Sequence, residues 1–571
     1  MISSLGLFHQ KKRPRRAFRD CELTIETCEV RLLPSSVVAK LAGGNLVIRG
    51  PADEPKDILI QRDTESPGNV IVTGRSGTTI NGFSRQVFPL SRISRDLRFE
   101  LSGEVRLEFD GSGFALKGDL LLTLRGAGDH QVRMRNFQVR KEVNINTAAG
   151  DDVIQLTNFR AGSTRISTAS GDDRVVLSTD PAVVATALQN LSGRTKIRVG
   201  AGYDVVDIRS TVSTDLSVES SGDAAILLQN SRVNGDLGIR GVGGEQTHVV
   251  TNVEVARRAT FQTGSSDDHI GIYNSRVRGR TEILLSGGDD VASIEESRFF
   301  SRLVLAGGPG HDQLTEEFRQ NNVVPASGAV TGFEHSVELV RAVHFGYGGE
   351  EGPEFWGKLT PAWIRAAVGV EQSPINISTA EVLKENLSNI QFNYFTQSGL
   401  DYFNNGHTVQ VSAQEGSSIT VLGRVFNLIQ FHLHLPSEHQ IDGKQFDGEL
   451  HLVHADALGN LAVVAVFIEK GESSNPLISQ LAADPPTAKG QRRIIPTLNA
   501  AAVLPANQQY YHFNGSLTTP PATEGVKWFV LASPVLISQI DYDRIRTAIT
   551  GNNNRPVQSV NGRTIVFDET A

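Results

Sequence analysis

Cysteine is nearly missing from this 571-residue chain: there are two, Cys21 and Cys28, both close to the start. Neither a disulfide framework nor a thiolate metal site can therefore organise the rest, and any metal bound there takes nitrogen or oxygen ligands. No run of 18 or more apolar residues occurs, which excludes a membrane-spanning helix. A surplus of positive charge is lacking too. Lys plus Arg number 55 against 63 Asp plus Glu, and a net charge of −8 supplies no global field for holding nucleic acid. What is abundant is glycine, 55 residues, beside 39% hydrophobic residues, a globular composition that excludes wholesale disorder. At about 150 residues per domain, the length implies several parts.

Six basic residues (Lys11, Lys12, Arg13, Arg15, Arg16, Arg19) crowd the N-terminus, and no long apolar stretch follows them. The segment does not read as an ordinary signal peptide, and residues 1–36 are expected to be a solvated, disordered basic arm. Within it, IETCEVRLLPSS (Ile25–Ser36) resembles a Leu-Glu-x-Arg-x-Leu-Leu element found near the start of large exported proteins of some bacteria, with Cys28 and Val30 departing from it. The resemblance implies export to the cell surface, periplasm or medium.

Residues 37–341 are expected to form a β-solenoid. Gly-Asp or Asp-Asp turns fall at Asp129, Asp151 and Asp172, and again at Asp223, Glu245, Asp267, Asp289 and His311, nearly always 22 residues apart. A second column keeps the same register: Asn136, Asn158, Asp180, then Asn230, Asn252, Asn274, Glu296. Each unit reads as a strand, a tight turn, another strand and a polar corner, as in VNINTAAGDDVIQLTN (Val143–Asn158). One unit cannot bury its apolar face alone, but stacked coils can, with an asparagine ladder running from coil to coil. PAVVATALQNL (Pro181–Leu191) interrupts the period and reads as an inserted helical turn or loop. The strand-like stretches between residues 44 and 83 read as early coils or a cap, and VTGFEHSVELV (Val330–Val340) as the closing coil. GGPGHDQLT (Gly307–Thr315) and VGAGYDVVD (Val199–Asp207) fit a calcium-binding nonapeptide. Isolated copies cannot supply the six to eight oxygens that Ca2+ takes, so turn chemistry is the preferred reading. Paired carboxylates such as Asp151 with Asp152 recur in several coils, which favours a structural corner over a sugar-cleaving dyad.

Beyond residue 341 the repeat stops and histidines appear. In NLIQFHLHLPSEH and ELHLVH, His432 and His434 share one face of a strand, and an antiparallel neighbour would bring His451 beside them. Three imidazoles on rigid strands leave the fourth position of a tetrahedral zinc open, the pattern of a catalytic site. Gln430 and Glu449 each precede a ligand by two residues, on the ligand face, where they could accept an imidazole N–H.

These motifs, with EQSPINI, NNGHTVQV, GSLTTPPATEGVKW and NNRPVQ in the same order, resemble the α-class carbonic anhydrases over residues 342–571. The resemblance implies an α+β domain with a central, largely antiparallel twisted sheet, attached to a parallel β-solenoid in a mainly β chain. It implies reversible hydration of carbon dioxide to bicarbonate and a proton, by a zinc-bound hydroxide on His432, His434 and His451. In that family the bound water is known to ionise near pH 7. By the same resemblance Thr518 and Glu438 orient the hydroxide, and Val453, Val463, Leu517, Val526 and Trp528 form the carbon dioxide pocket. His407 shuttles the proton, with Tyr347, Asn405, Gln410 and Thr519 ordering the connecting waters. Four residues depart from the pattern: Phe345 stands where Trp is usual, Phe513 replaces a Tyr, and Ala366 with Ala522 replaces a disulfide common in bacterial members. The solenoid is expected to attach or scaffold the enzyme, through an unidentified surface, matrix or protein partner. The rival reading is an adhesin with the zinc domain as accessory.

Overall fold

The computed structural model describes residues 36–50, 54–179, 189–315, 328–333, 335–337, 344–457 and 459–570. The basic arm with both cysteines and its export-like element lie outside the described residues except for Ser36, which begins the first strand, and so do Asp180 and most of the 181–191 interruption. The described end of that interruption is a correction to the loop reading. Gln189, Asn190 and Leu191 begin the Gln189–Val199 strand, in parallel register with Thr211, Val212 and Ser213 of the next coil.

From residue 97 to 337 parallel strands stack coil on coil. His269–Tyr273 pairs in parallel with Val291–Glu295, and Thr281–Leu284 with Leu303–Ala306. Each regular coil carries three strands, not the two expected, because a two-residue strand such as Arg276–Val277 follows the asparagine corner. Two residues are too few for a period-2 signal. The segments between residues 36 and 89 form an antiparallel cap: Ser36–Ala42 pairs with Asn45–Gly50, and Asn69–Arg75 with Lys56–Arg62 and Arg85–Pro89. At the other end, Ala329–Thr331 and His335–Val337 extend the stack.

The corner residues explain the repeat. Asn136, Asn158, Asn230, Asn252 and Asn274 all have φ between 44° and 58°, a left-handed conformation that asparagine tolerates. Their amides hydrogen-bond between coils, Asn158 Nδ2 to Asn136 Oδ1 at 3.1 Å and Asn252 Nδ2 to Asn230 Oδ1 at 2.8 Å. The paired aspartates point in opposite directions along the stack: Asp151 Oδ1 accepts the N–H of Asp172 in the following coil, and Asp152 Oδ1 accepts the N–H of His130 in the preceding one. They are structural brackets. Asp204 and Asp312, from the two nonapeptide-like stretches, do the same for Asp173 and Asp290. Glycine is required where turns stack: a Cβ on Gly171, at φ 135°, would lie 2.0 Å from the Gly150 carbonyl oxygen.

Residues 376–568 build a twelve-stranded sheet and a small three-stranded one. The large sheet is mostly antiparallel. Arg424–His434, Gly448–Ala455 and Leu461–Gly471 are consecutive antiparallel neighbours, while Leu461–Gly471 pairs in parallel with Glu524–Ser538. Its two faces bury separate apolar layers, one around Phe426, Phe431 and Leu452, the other around Val463, Phe467 and Trp528. Among the described residues no helix is long and apolar enough to cross a membrane.

Candidate metal centre

The register sets His432 directly opposite His451, with His434 opposite Glu449 and Gln410 opposite His432 from the other side. Leu433 and Leu450 point the opposite way into the core, so strand alternation alone gathers the three imidazoles on one face. One ring nitrogen from each lies within 4.8 Å of the others.

The second nitrogen of every ring is engaged. Gln430 Oε1 lies 2.9 Å from His432 Nδ1, the Asn553 carbonyl oxygen 2.6 Å from His434 Nδ1, and Glu449 Oε1 2.8 Å from His451 Nε2. Each of these acceptors fixes a tautomer whose free nitrogen faces the centre. Glu449 is fully committed: Oε1 also meets His439 Nδ1 at 2.7 Å, and Oε2 accepts the backbone N–H groups of Glu438 and His439. Burial alone would raise its pKa, but His439 and His451 hold it well below the usual carboxylate range. Although His439, Glu449 and His451 also lie close together, Glu449 is thereby a hydrogen-bond anchor.

Burial holds all three rings below their ordinary pKa of 6.5, His434 at about 3, with the neighbouring imidazoles adding to the effect at His432 and His434. Neutral imidazole is the form that ligates. His434 Nε2 is buried without a hydrogen-bond partner, 3.4 Å from Glu438 Oε2, which lacks one as well. Such orphaned atoms cost free energy unless something bonds them. Three neutral nitrogen donors with oriented rings suit a borderline metal such as zinc.

Around the triad, Thr518 is within hydrogen-bonding reach of Glu438, and the Arg555 backbone N–H donates to Glu438 Oε1 at 2.8 Å. Burial pushes Glu438 well above its ordinary pKa, against the pull of these two donors. Val453, Val463, Val526 and Trp528 belong to one buried apolar cluster with Leu517 packed on it, and the Trp528 ring is 4.9 Å from His451. His407 is half-buried and stacks on Phe345 at 3.9 Å, with Tyr347 6.5 Å away. Asn405 Oδ1 accepts the N–H groups of His407 and Thr408, and its amide lies 3.5 Å from Gln410 Oε1. Tyr347 is partly buried, and burial first, then Glu438, raises its pKa well above the ordinary value. Thr519 sits in the turn after Thr518, its carbonyl accepting from Ala522 N–H. Ala366 and Ala522 pack with Trp356 in a small apolar cluster. Phe513 is buried 5.8 Å from the His439 ring.

Sequence reasoning missed Asn553, Arg555 and His439. Asn553 holds His434 and Arg555 holds Glu438 through backbone atoms, which no residue-type pattern reveals. Asn553 also ties the shuttle candidate to the triad strand: its amide donates to the carbonyls of His407 and Leu433.

Residues 351–569 match the family model described as eukaryotic-type carbonic anhydrase. A carbonic anhydrase from Neisseria gonorrhoeae is 42% identical over 39% of this chain and 87% of its own length. One from Pectobacterium carotovorum is 39% identical, over 40% and 93%, and human carbonic anhydrase 7 is 36% identical, over 39% and 96%. A solved α-carbonic anhydrase of Thermovibrio ammonificans, in complex with the inhibitor sulfanilamide, is 38% identical with a TM-score of 0.38, over 40% of this chain and 100% of that one.

Proposed function

This chain belongs to the eukaryotic-type carbonic anhydrase family, and on that premise we propose that residues 342–571 hold one catalytic zinc on His432, His434 and His451 and interconvert carbon dioxide and bicarbonate. The observation that carries the reading is the set of three neutral imidazoles, one nitrogen of each turned to a common point and the other anchored by Gln430, Asn553 or Glu449. Zinc, when bound, supplies a Lewis acid that makes water a nucleophile at neutral pH.

The chain's own residues do the rest. Glu438, held by the Arg555 N–H, accepts the hydroxyl proton of Thr518. The Thr518 oxygen is then left only acceptor positions and selects a donor O–H at the centre. Val453, Val463, Leu517, Val526 and Trp528 give an apolar substrate a dry wall that excludes water. Burial and the charges of His344 and Lys489 lower the His407 pKa below 6.5, so the ring is neutral at pH 7 and accepts the proton released in each turnover. Tyr347, Asn405, Gln410 and Thr519 order the water between. The solenoid scaffolds or attaches the enzyme, and the reading includes export, which the Ile25–Ser36 element supports and cell fractionation tests.

Stopped-flow carbon dioxide hydration by the full chain is the decisive measurement. Activity should vanish with a zinc chelator, return with added zinc, and be lost in His434→Ala. Turnover that survives both the chelator and the substitution overturns the assignment.

A further inference from the structure

The strands of most coils bury alternate residues, one face in the core and the other towards solvent, as in Leu120–Arg125. Two strands depart furthest from that rule. Tyr203–Arg209 and Asp223–Gln229 are buried on both faces over almost their whole length. Their inward residues, Val206, Ile208, Ala224, Ile226 and Leu228, belong to the solenoid core. Their outward residues Val205, Ala225 and Leu227, with Val249 from the next coil, form a separate apolar cluster with Val368 of the catalytic half.

Beside this apolar plate lies a buried set of charges drawn from both halves. Arg365 Nη1 donates to Asp207 Oδ2 at 2.7 Å, and Arg209 Nη1 to Glu371 Oε2 at 3.0 Å. Both arginines reach Glu524 Oε2, Arg209 at 3.1 Å and Arg365 at 3.4 Å, and the Glu524 side chain is fully buried. The other oxygen of Glu524 bonds within the catalytic half. Oε1 accepts from Gln372 Nε2 at 2.9 Å and from the Glu371 N–H at 2.6 Å. Gln372 Oε1 accepts from Arg555 Nη1 at 2.8 Å, and Gln372 Nε2 also donates to the Ala522 carbonyl at 3.1 Å, in the turn that carries Thr518. Arg555 supplies the N–H that holds Glu438. A continuous path of one ion pair and three hydrogen bonds thus runs from the solenoid's Arg209 through Glu524, Gln372 and Arg555 to Glu438.

We propose that Arg209 and Asp207 of the solenoid are positioning residues of the hydratase: docked on the catalytic half, they fix Glu524 and through it the Gln372–Arg555 support of Glu438 and Thr518. A carboxylate buried as deeply as Glu524 keeps its place only while its charge is compensated, and the solenoid's arginine supplies half of that compensation. The solenoid is then part of the active-site support. This inference rests on the hydratase reading above.

The test uses the full chain, zinc-loaded and with rates expressed per bound zinc. Arg209→Met keeps the hydrocarbon stem and removes the charge, and Leu227→Glu opens the apolar plate without touching the charge set. In both, kcat/KM should fall about tenfold, the scale on which lost support of a metal-site side chain acts. The proton-transfer limit on kcat, set on the His407 side, should move less, and Arg209→Lys should recover most of kcat/KM. Wild-type kcat/KM per zinc in either variant overturns the inference, as does an equal fall of kcat and kcat/KM that Arg209→Lys leaves uncorrected, since that pattern marks only lost folded protein. A wild-type chain that holds zinc and hydrates no carbon dioxide defeats the hydratase reading itself, before any variant is compared.

Discussion

At the level of single residues, the site depends on which atoms are left free once the supporting bonds are made. Glu438 takes the Arg555 N–H on Oε1 and keeps Oε2 for the Thr518 hydroxyl, and only a carboxylate offers acceptors on both atoms. In Glu438→Gln the amide oxygen still serves Arg555, but an NH2 then faces Thr518 and the hydroxyl proton has no acceptor. A fall in kcat/KM of about 10²-fold with unchanged zinc content is expected, read by stopped-flow hydration beside metal analysis. His407 governs a different step. His407→Ala should lower kcat by about 10²-fold in weak buffer, with recovery by added imidazole. Because His407 is depressed below 6.5, the wild-type kcat should climb with pH through a midpoint under that value and then level off.

The coil is the next unit up, and its corners carry stability. In Asn252→Ala the new residue keeps a φ of 54° without a side-chain partner and breaks the amide bond to Asn230. The strained conformation and the lost hydrogen bond together cost roughly 2 kcal/mol. Denaturant unfolding should register that loss, while hydration activity at 25 °C stays at the wild-type level. These corners were legible in the sequence because they recur at a fixed step, and the triad was legible because strand alternation and residue type coincide at His432, His434 and His451. The supports of the site were less so. Asn553 anchors His434 through a carbonyl and Arg555 holds Glu438 through an N–H, functions that any side chain could accompany. The docking face left a trace that went unread: the runs DVVDI and DAAILL place apolar residues outward where a free coil would be polar.

Across the whole molecule, buried titratable groups oppose one another as pH changes. His248 faces the solenoid core with neither ring nitrogen bonded, and burial drives its pKa to about 3; His130 and His269 are lowered in the same way. The unfolded rings take protons below about 6.5 and the folded ones refuse them, so this stability is complete above pH 6.5 and lost as pH falls. The bracket aspartates act with the opposite sign. Burial lifts Asp152 and Asp268 to about 6 and Asp204 and Asp290 to about 7, against the N–H groups that each accepts. Folded, they keep protons that the unfolded chain gives up near 3.8, so their contribution is whole below that value and disappears as pH rises through 6 to 7. Four carboxyls retaining protons outweigh three imidazoles refusing them between pH 5 and 8, and the solenoid should therefore resist urea better at pH 5 than at pH 8. Tryptophan fluorescence cannot follow this transition, since Trp356, Trp363 and Trp528 all lie in the catalytic half. Hydrogen exchange of the coil amides can, and Asp290→Asn should flatten the pH dependence by removing one of the four carboxyls. A solenoid that gains stability from pH 5 to 8 would mean that the bracket carboxylates stay ionised inside the fold.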